Sequence, residues 1–169
     1  MASQPHALLS NAQIDDLVNV AASNGRRRMH RNIHATFEDK CQRFFNAIFR
    51  DSYIPPHRHS GKMDDETLVA IRGSFMAILF DDRGEIQCVV CCGDDQEHVG
   101  VVVPVGQWHS VVALSEPAVL LEIKAGPFDP VRAKEFAPWA PAEGAHTAGD
   151  YRAKLAGQAA EWLHTTAHL

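Results

Sequence analysis

The chain has 169 residues, 46% of them hydrophobic, and a formal charge of −5 from 16 Lys+Arg against 21 Asp+Glu. A chain of about 150 residues buries roughly two-thirds of its unfolded surface, so one domain with a self-sufficient core is expected and disorder is not. Mild acidity argues against a nucleic-acid binder driven by phosphate neutralisation.

The first residues, MASQPHALLS, have no basic segment followed by an apolar one, so no signal peptide is expected. Ser10-Asn-Ala-Gln13 is a capping-box pattern. Ile14, Leu17, Val18 and Ala21 follow at helical spacing, and Asn24-Gly25 ends a helix predicted over 11–24. Arg26, Arg27, Arg28 and Arg31 read as a basic connector, a solvated loop or else a phosphate site. From residue 41 short β-rich runs take over, at 43–50, 53–59, 67–72, 75–80, 86–92, 99–105, 108–114 and 118–124. Turn signals separate them, including Asp82-Arg-Gly84, Gly93-Asp-Asp95, Pro104-Val-Gly106 and Ser115-Glu-Pro117. With no helical run between them, βαβ units are excluded and a sandwich or small barrel is expected. Beyond Gly126 a Pro- and Ala-rich stretch reads as a strand-free wrap, followed by a helix over 150–165 that Gly157 weakens. No stretch reaches the roughly 18 uninterrupted apolar residues of a membrane helix, so a soluble, cytoplasmic protein is expected.

The four cysteines are too few and too clustered for a disulfide framework. Cys88-x-x-Cys91 has a metal or redox spacing, but it lies in a strand-like run whose alternation sends the two thiols to opposite faces. A core role is expected for them.

The ten histidines are the unusual count. In His57-Arg58-His59, period-two alternation sends both imidazoles to one face and Arg58 to the other. Two such imidazoles can share a metal ion. Acidic candidates follow at Asp64, Asp65 and Glu66, and a further imidazole at His109, after the turn at Pro104-Val-Gly106. Three imidazoles and a carboxylate on strands that barrel closure brings together suit iron(II), manganese, nickel or zinc. Glu122 and Lys124 share a strand face and read as exposed positions, with a cross-barrel polar pair or acid/base groups as the alternative. Trp108 is expected on the outside of the barrel. His6, His30, His98, His146, His164 and His168 have no partners at ligand spacing and read as surface residues.

Tyr53-Ile-Pro-Pro-His57-Arg-His59 through Glu66 to Gly73 resembles the first cupin motif, and Pro104-Val-Gly106-Gln-Trp-His109 the second. More narrowly, the chain resembles the WbuC family of cupin-fold metalloproteins. The likeness rests on Arg31-Asn32-Ile-His34, Cys41-Gln42-Arg43-Phe-Phe-Asn46-Ala47, Gly126-Pro127-Phe128-Asp-Pro130, and Lys134-Glu-Phe136-Ala-Pro138-Trp139 onward, and it covers about residues 10–144. It implies an all-β fold, a double-stranded β-helix or jelly-roll barrel with flanking N-terminal and C-terminal helices. One structural domain is then expected, with a helix and connector over 1–40, the barrel over 41–126, and the wrap and second helix over 127–169. The resemblance also implies one divalent metal held by His57, His59, Glu66 and His109. The acid-to-glycine spacing selects Glu66, while Asp64 is the rival ligand in a loop over 60–65 that is longer than usual.

The family association is with bacterial surface-polysaccharide (O-antigen) biosynthesis, so the implied ligand is a sugar or nucleotide-sugar, with Arg31, His34, Arg43 and Lys124 as candidate binding residues. A homodimer is implied by the same resemblance. No reaction comes with it. Metal-assisted isomerisation or epimerisation beside a carbonyl, an iron(II)-dependent dioxygenase, and a non-catalytic sugar-binding or sensor module are the alternatives.

Overall fold

Ser10 opens the first helix, α1 (Asn11–Ser23), with a reciprocal cap: its side chain accepts the Gln13 N–H, and the Gln13 side chain accepts the Ser10 N–H. The structure is a computed structural model that describes residues 9–59, 65–130 and 134–166. The helix lays Ile14, Leu17 and Ala21 on Phe45, Ala47, Phe49 and Val119. Ten strands follow among the described residues: β1 (Arg28–Asn32), β2 (Cys41–Ile48), β3 (His57–Arg58), β4 (Glu66–Arg72), β5 (Ser74–Phe80), β6 (Ile86–Gly93), β7 (Gly100–Val103), β8 (Trp108–Ala113), β9 (Ala118–Ala125) and β10 (Glu135–Phe136). A second helix, α2 (Ala148–Thr166), closes the chain.

The strands form two five-stranded sheets, in the orders β1-β2-β9-β4-β7 and β10-β3-β8-β5-β6, and all their pairings are antiparallel. The core between them holds Ile48, Leu68, Phe75, Ala77, Val111 and Leu120. Each sheet is also covered outside, the first by α1 and the second by α2 through Leu155 and Ala159. This double burial explains β5, SFMAILF, which is apolar at nearly every position: Phe75 and Ala77 face inward while Met76, Ile78 and Phe80 lie under α2. The cysteines of β6 divide as alternation requires, with Cys92 in the inner core and Cys91 against the α2 side. Among the described residues no helix is long and apolar enough to cross a membrane.

Three expectations change. The basic connector is in part a strand, because β1 pairs along β2 at the sheet edge, where charged side chains are tolerated. The run at 53–59 contracts to the two residues of β3, since Pro55 and Pro56 have no N–H to give a ladder. The wrap contains β10, whose Glu135 and Phe136 pair with Arg58 and His57.

Gly73, between β4 and β5, has φ +65, and a Cβ there would overlap Ser115 Oγ and lie 2.7 Å from the Pro117 carbonyl oxygen. Gly106 has φ +75 but open space around it. Gly106→Ala should therefore cost only the backbone penalty, about 1–2 kcal/mol, whereas Gly73→Ala adds a steric clash and should cost at least about 3 kcal/mol. Urea unfolding of both variants checks this; equal losses would contradict the packing around Gly73.

Candidate metal centre

The Pro55-Pro56 segment delivers His57 to β3, directly opposite His109 of β8, with ring centroids 4.3 Å apart. His59 lies just beyond β3, and its carbonyl accepts the Gly106 N–H at 2.9 Å, which ties the turn before β8 to the first histidine pair. Arg58 points the other way, its guanidinium 4.3 Å over the Trp108 ring and hydrogen-bonded to Glu135. Trp108 is buried on the outer side of the sheet, where its indole donates to Asp82. Glu66 begins β4, opposite Lys124 of β9 and Val103 of β7.

These placements bring His57, His59, Glu66 and His109 together, with one ligand atom from each within 4.8 Å of the others. All four are buried, at 3%, 4%, 3% and 1% exposure. Such a set could hold a metal ion, and its chemistry fits one. His57 Nδ1 lies 2.9 Å from the Pro55 carbonyl and His109 Nδ1 lies 2.9 Å from the Gln107 carbonyl. A carbonyl only accepts, so each Nδ1 carries a proton and Nε2 is left for the cluster. His109 Nε2 then sits 3.2 Å, and His59 Nε2 3.4 Å, from Glu66 Oε2. A neutral imidazole that donates through Nδ1 turns a lone pair toward this carboxylate. That approach is favourable only if the ring takes a second proton or a cation lies between the groups.

Burial, reinforced by the charges of Lys134 and His109, holds the His57 imidazole well below its usual pKa, in the neutral form a metal requires. Burial alone would raise the Glu66 carboxyl, but hydrogen bonds from His109 and His59 in their protonated forms and the charge of Lys124 outweigh it, leaving Glu66 well below the usual carboxylate range. Lys124 Nζ stands 3.7 Å from Glu66 Oε1.

The cluster is at one side of a cavity of about 510 Å³ between the sheets. Its wall carries Asn46, Glu122 and Lys124, and its mouth Arg28, Lys134, Phe136 and Glu143. Asn46 donates to Glu122 Oε1 at 2.6 Å. Burial, then the nearby Glu66 charge, pushes the Glu122 carboxyl up to about 7. A groove of about 570 Å³ on the outside, beside Trp139 and beside Tyr151 and Leu155 of α2, is lined by no histidine or cysteine among the described residues.

Of the candidate ligand-binding residues, His34 and Lys124 line the cavity. Arg31 and Arg43 do not: both are exposed, Arg43 sharing the parity of Phe45, which packs toward α1, and Arg31 donating to the Gln13 carbonyl. The reading of Glu122 and Lys124 as exposed is overturned. They continue the inward face of Ala118 and Leu120, and β9 is covered by α1 on its other side. His30 is exposed but lines the cavity mouth. His98, His146 and His164 are exposed, while Asp64, His6 and His168 lie outside the described residues.

Arg28 reaches the cavity through β1, where its guanidinium is held by Glu143 at 2.6 Å, the Tyr53 carbonyl at 2.7 Å and Ser52 Oγ at 3.2 Å. Arg26 shares the same Glu143 oxygen. Sequence reasoning missed Gln42, Phe44 and Glu143 as cavity residues. The first two lie on the inward parity of β2, a usable signal, whereas Glu143 sits in an irregular segment and gave none.

Residues 9–91 match the family model described as a domain of unknown function, DUF6016. No curated protein matches the chain in sequence. Among solved structures, the chain is similar to an uncharacterized conserved protein with a double-stranded β-helix domain from Klebsiella pneumoniae, at 17% identity and TM-score 0.56 over 81% of this chain and 96% of that one. It is similar to an oxalate oxidase in complex with the substrate analogue glycolate, at 12% identity and TM-score 0.55 over 81% and 66%. It is also similar to the capsular polysaccharide assembling protein CapF from Staphylococcus aureus, at 19% identity and TM-score 0.53 over 67% of this chain and 32% of CapF. The fold is a double-stranded β-helix, a jelly-roll barrel. Within it, this chain carries a buried three-histidine, one-glutamate cluster able to hold a metal.

Glu122 ionises near 4.5 in an unfolded chain and near 7 in the fold, so its contribution to stability is full below about 4.5 and is lost as pH rises through about 7. In metal-free protein, Glu122→Gln should therefore gain on the parent between pH 4.5 and 7.5, read from urea midpoints at each pH. A difference that does not change with pH would contradict the raised carboxyl.

Proposed function

We propose that this chain is a cupin metalloprotein that holds one divalent transition metal (iron, zinc, manganese or nickel) through His57, His59, Glu66 and His109 and presents it to a small molecule in the barrel cavity. The observation that carries this reading is the convergence of imidazole nitrogens on a buried carboxylate at 3.2 and 3.4 Å, with the protons of His57 and His109 committed to backbone carbonyls on their far sides. When bound, such a metal supplies Lewis-acid polarisation of a ligand oxygen. The chain's own groups do the rest. The Pro55 and Gln107 carbonyls fix the orientation of two imidazoles. Lys124 holds the free side of the Glu66 carboxylate. Glu122, its Oε1 held by Asn46, is a carboxyl on the cavity wall raised to about 7, so that it can give or take a proton near neutral pH.

The finer reading is a bacterial, cytoplasmic protein that acts on or binds a sugar or nucleotide-sugar in surface-polysaccharide (O-antigen) biosynthesis, as a homodimer of one-domain chains. Two observations support it: the WbuC-like motifs over about residues 10–144, and a fold like that of the capsular polysaccharide assembling protein CapF. The reaction is unassigned. Substrate-coupled oxygen consumption by the iron form identifies the dioxygenase alternative, and ligand-induced thermal stabilisation without turnover in any metal form identifies the binding module.

Purified protein should carry about one divalent metal per chain by elemental analysis, and His57→Ala with His109→Ala should abolish it. Glu66→Ala should lower metal content far more than Asp64→Ala. Unchanged metal in the double histidine variant would contradict the assignment, and a larger loss in Asp64→Ala would transfer the carboxylate role to Asp64.

A further inference from the structure

The end of the cavity away from the metal cluster has a composition of its own. Phe37 and Phe128 line it at 56% and 37% exposure, their ring centroids 5.2 Å apart. Phe44 lines the wall between this end and Lys124, whose ammonium stands 5.4 Å over its ring. Large aromatic side chains kept in water at a cavity mouth lack the burial that would stabilise them in the free protein.

Among these rings sits His34, only 8% exposed, 6.0 Å from Phe37 between ring centroids. Its Nδ1 is engaged by the backbone of Arg43, 3.1 Å from the N–H and 2.9 Å from the carbonyl oxygen. Its Nε2 is buried and has no hydrogen-bond partner. A buried imidazole nitrogen left in this state costs free energy that a bound polar atom would recover. None of the metal-site chemistry accounts for it.

The position relative to the metal cluster follows from strand order. His34 bonds to Arg43 on β2, Arg43 pairs with Ile123 on β9, and Ile123 pairs with Thr67 on β4, next to Glu66. Three steps of about 4.8 Å along the sheet place the two ends on the order of 10–14 Å apart, allowing for its curvature. A single hexose is too short to touch both. The guanidiniums at the mouth do not compete for the ligand, because Arg28 and Arg26 are already held by Glu143.

We propose that His34, Phe37, Phe44 and Phe128 form a second ligand subsite, which takes a flat aromatic ring bearing a hydrogen-bonding heteroatom. The ring lies against the phenylalanines and its heteroatom pairs with His34 Nε2, while the rest of the ligand extends toward the metal cluster. A nucleobase and a phenolic ring both have this chemistry. The subsite refines the small-molecule reading of the cavity, but its four residues are separate from the metal ligands, so it can fail or hold independently of the metal assignment.

The test is calorimetric titration of the full chain with uridine 5′-monophosphate, 4-hydroxybenzoate and ribose 5-phosphate, with the His57→Ala, His109→Ala protein run in parallel. At least one ring-bearing probe should bind, and ribose 5-phosphate should bind at least about tenfold more weakly, since stacking on an aromatic side chain is worth roughly 1–3 kcal/mol. The ring probe that binds tells a base from a phenol. Phe128→Ala, at an exposed position that should not impair folding, should weaken that probe about tenfold. His34→Leu should weaken it similarly and His34→Gln less. Retained ring binding in the double histidine variant would show that the subsite stands without the metal. The proposal is overturned if neither ring probe binds, if ribose 5-phosphate binds as well as they do, or if Phe128→Ala leaves ring binding unchanged.

Discussion

A carboxylate removed from water must be compensated, and the architecture around Glu66 answers that demand. Burial of an uncompensated ion costs several kcal/mol even after relaxation. At 3% exposure Glu66 has no solvent to draw on. The groups that can compensate it are Lys124 on β9 and, when protonated, His109 on β8 and His59 just past β3. Two of these belong to the opposite sheet from Glu66 or adjoin it, so the charge balance of the site is also a requirement that the two sheets close on each other in one register. The protons of His57 and His109 face away from the cluster, which leaves the compensation incomplete unless a further cation arrives.

The same alternation that builds the site insulates it. Along β8, His109, Val111 and Ala113 face inward while Trp108 and Val112 pack under α2, and along β9 the inward face runs Ala118, Leu120, Glu122, Lys124. Each strand thus grades from apolar core at one end to polar cavity at the other. The result is a barrel whose closed end is hydrophobic and whose open end holds ionisable groups in a low-dielectric setting, where Glu122 and Glu66 are driven in opposite directions. A pair of carboxyls separated in this way, one held ionised and one titrating near neutrality, is the arrangement acid–base chemistry exploits.

Much of this was legible in the sequence. Period two in His57-Arg58-His59 puts both imidazoles on one face, and the acid-to-glycine spacing points to Glu66, the carboxyl that lies in the cluster among the described residues. The helix start at Ser10 was legible because a capping box is a local device. What escaped was non-local. Glu122 and Lys124 look like exposed residues until α1 is seen covering the other face of their strand. Arg28 looks like part of a loop until β1 is paired with β2, and Glu143 enters the cavity from a segment without periodicity. Parity along β1 would have moved Arg31 outside had that strand been recognised, and parity along the run at 43–50 already set Arg43 on the face opposite Phe44 and Asn46.

The central claim is that one metal sits among four specific side chains of the barrel. Anomalous diffraction at the absorption edge of the metal found by elemental analysis, on crystals of the purified protein, tests it directly. The account predicts a single strong peak about 2.0–2.2 Å from a nitrogen of each of His57, His59 and His109 and from a carboxylate oxygen of Glu66. A peak elsewhere, or none at that cluster in metal-replete protein, would contradict it.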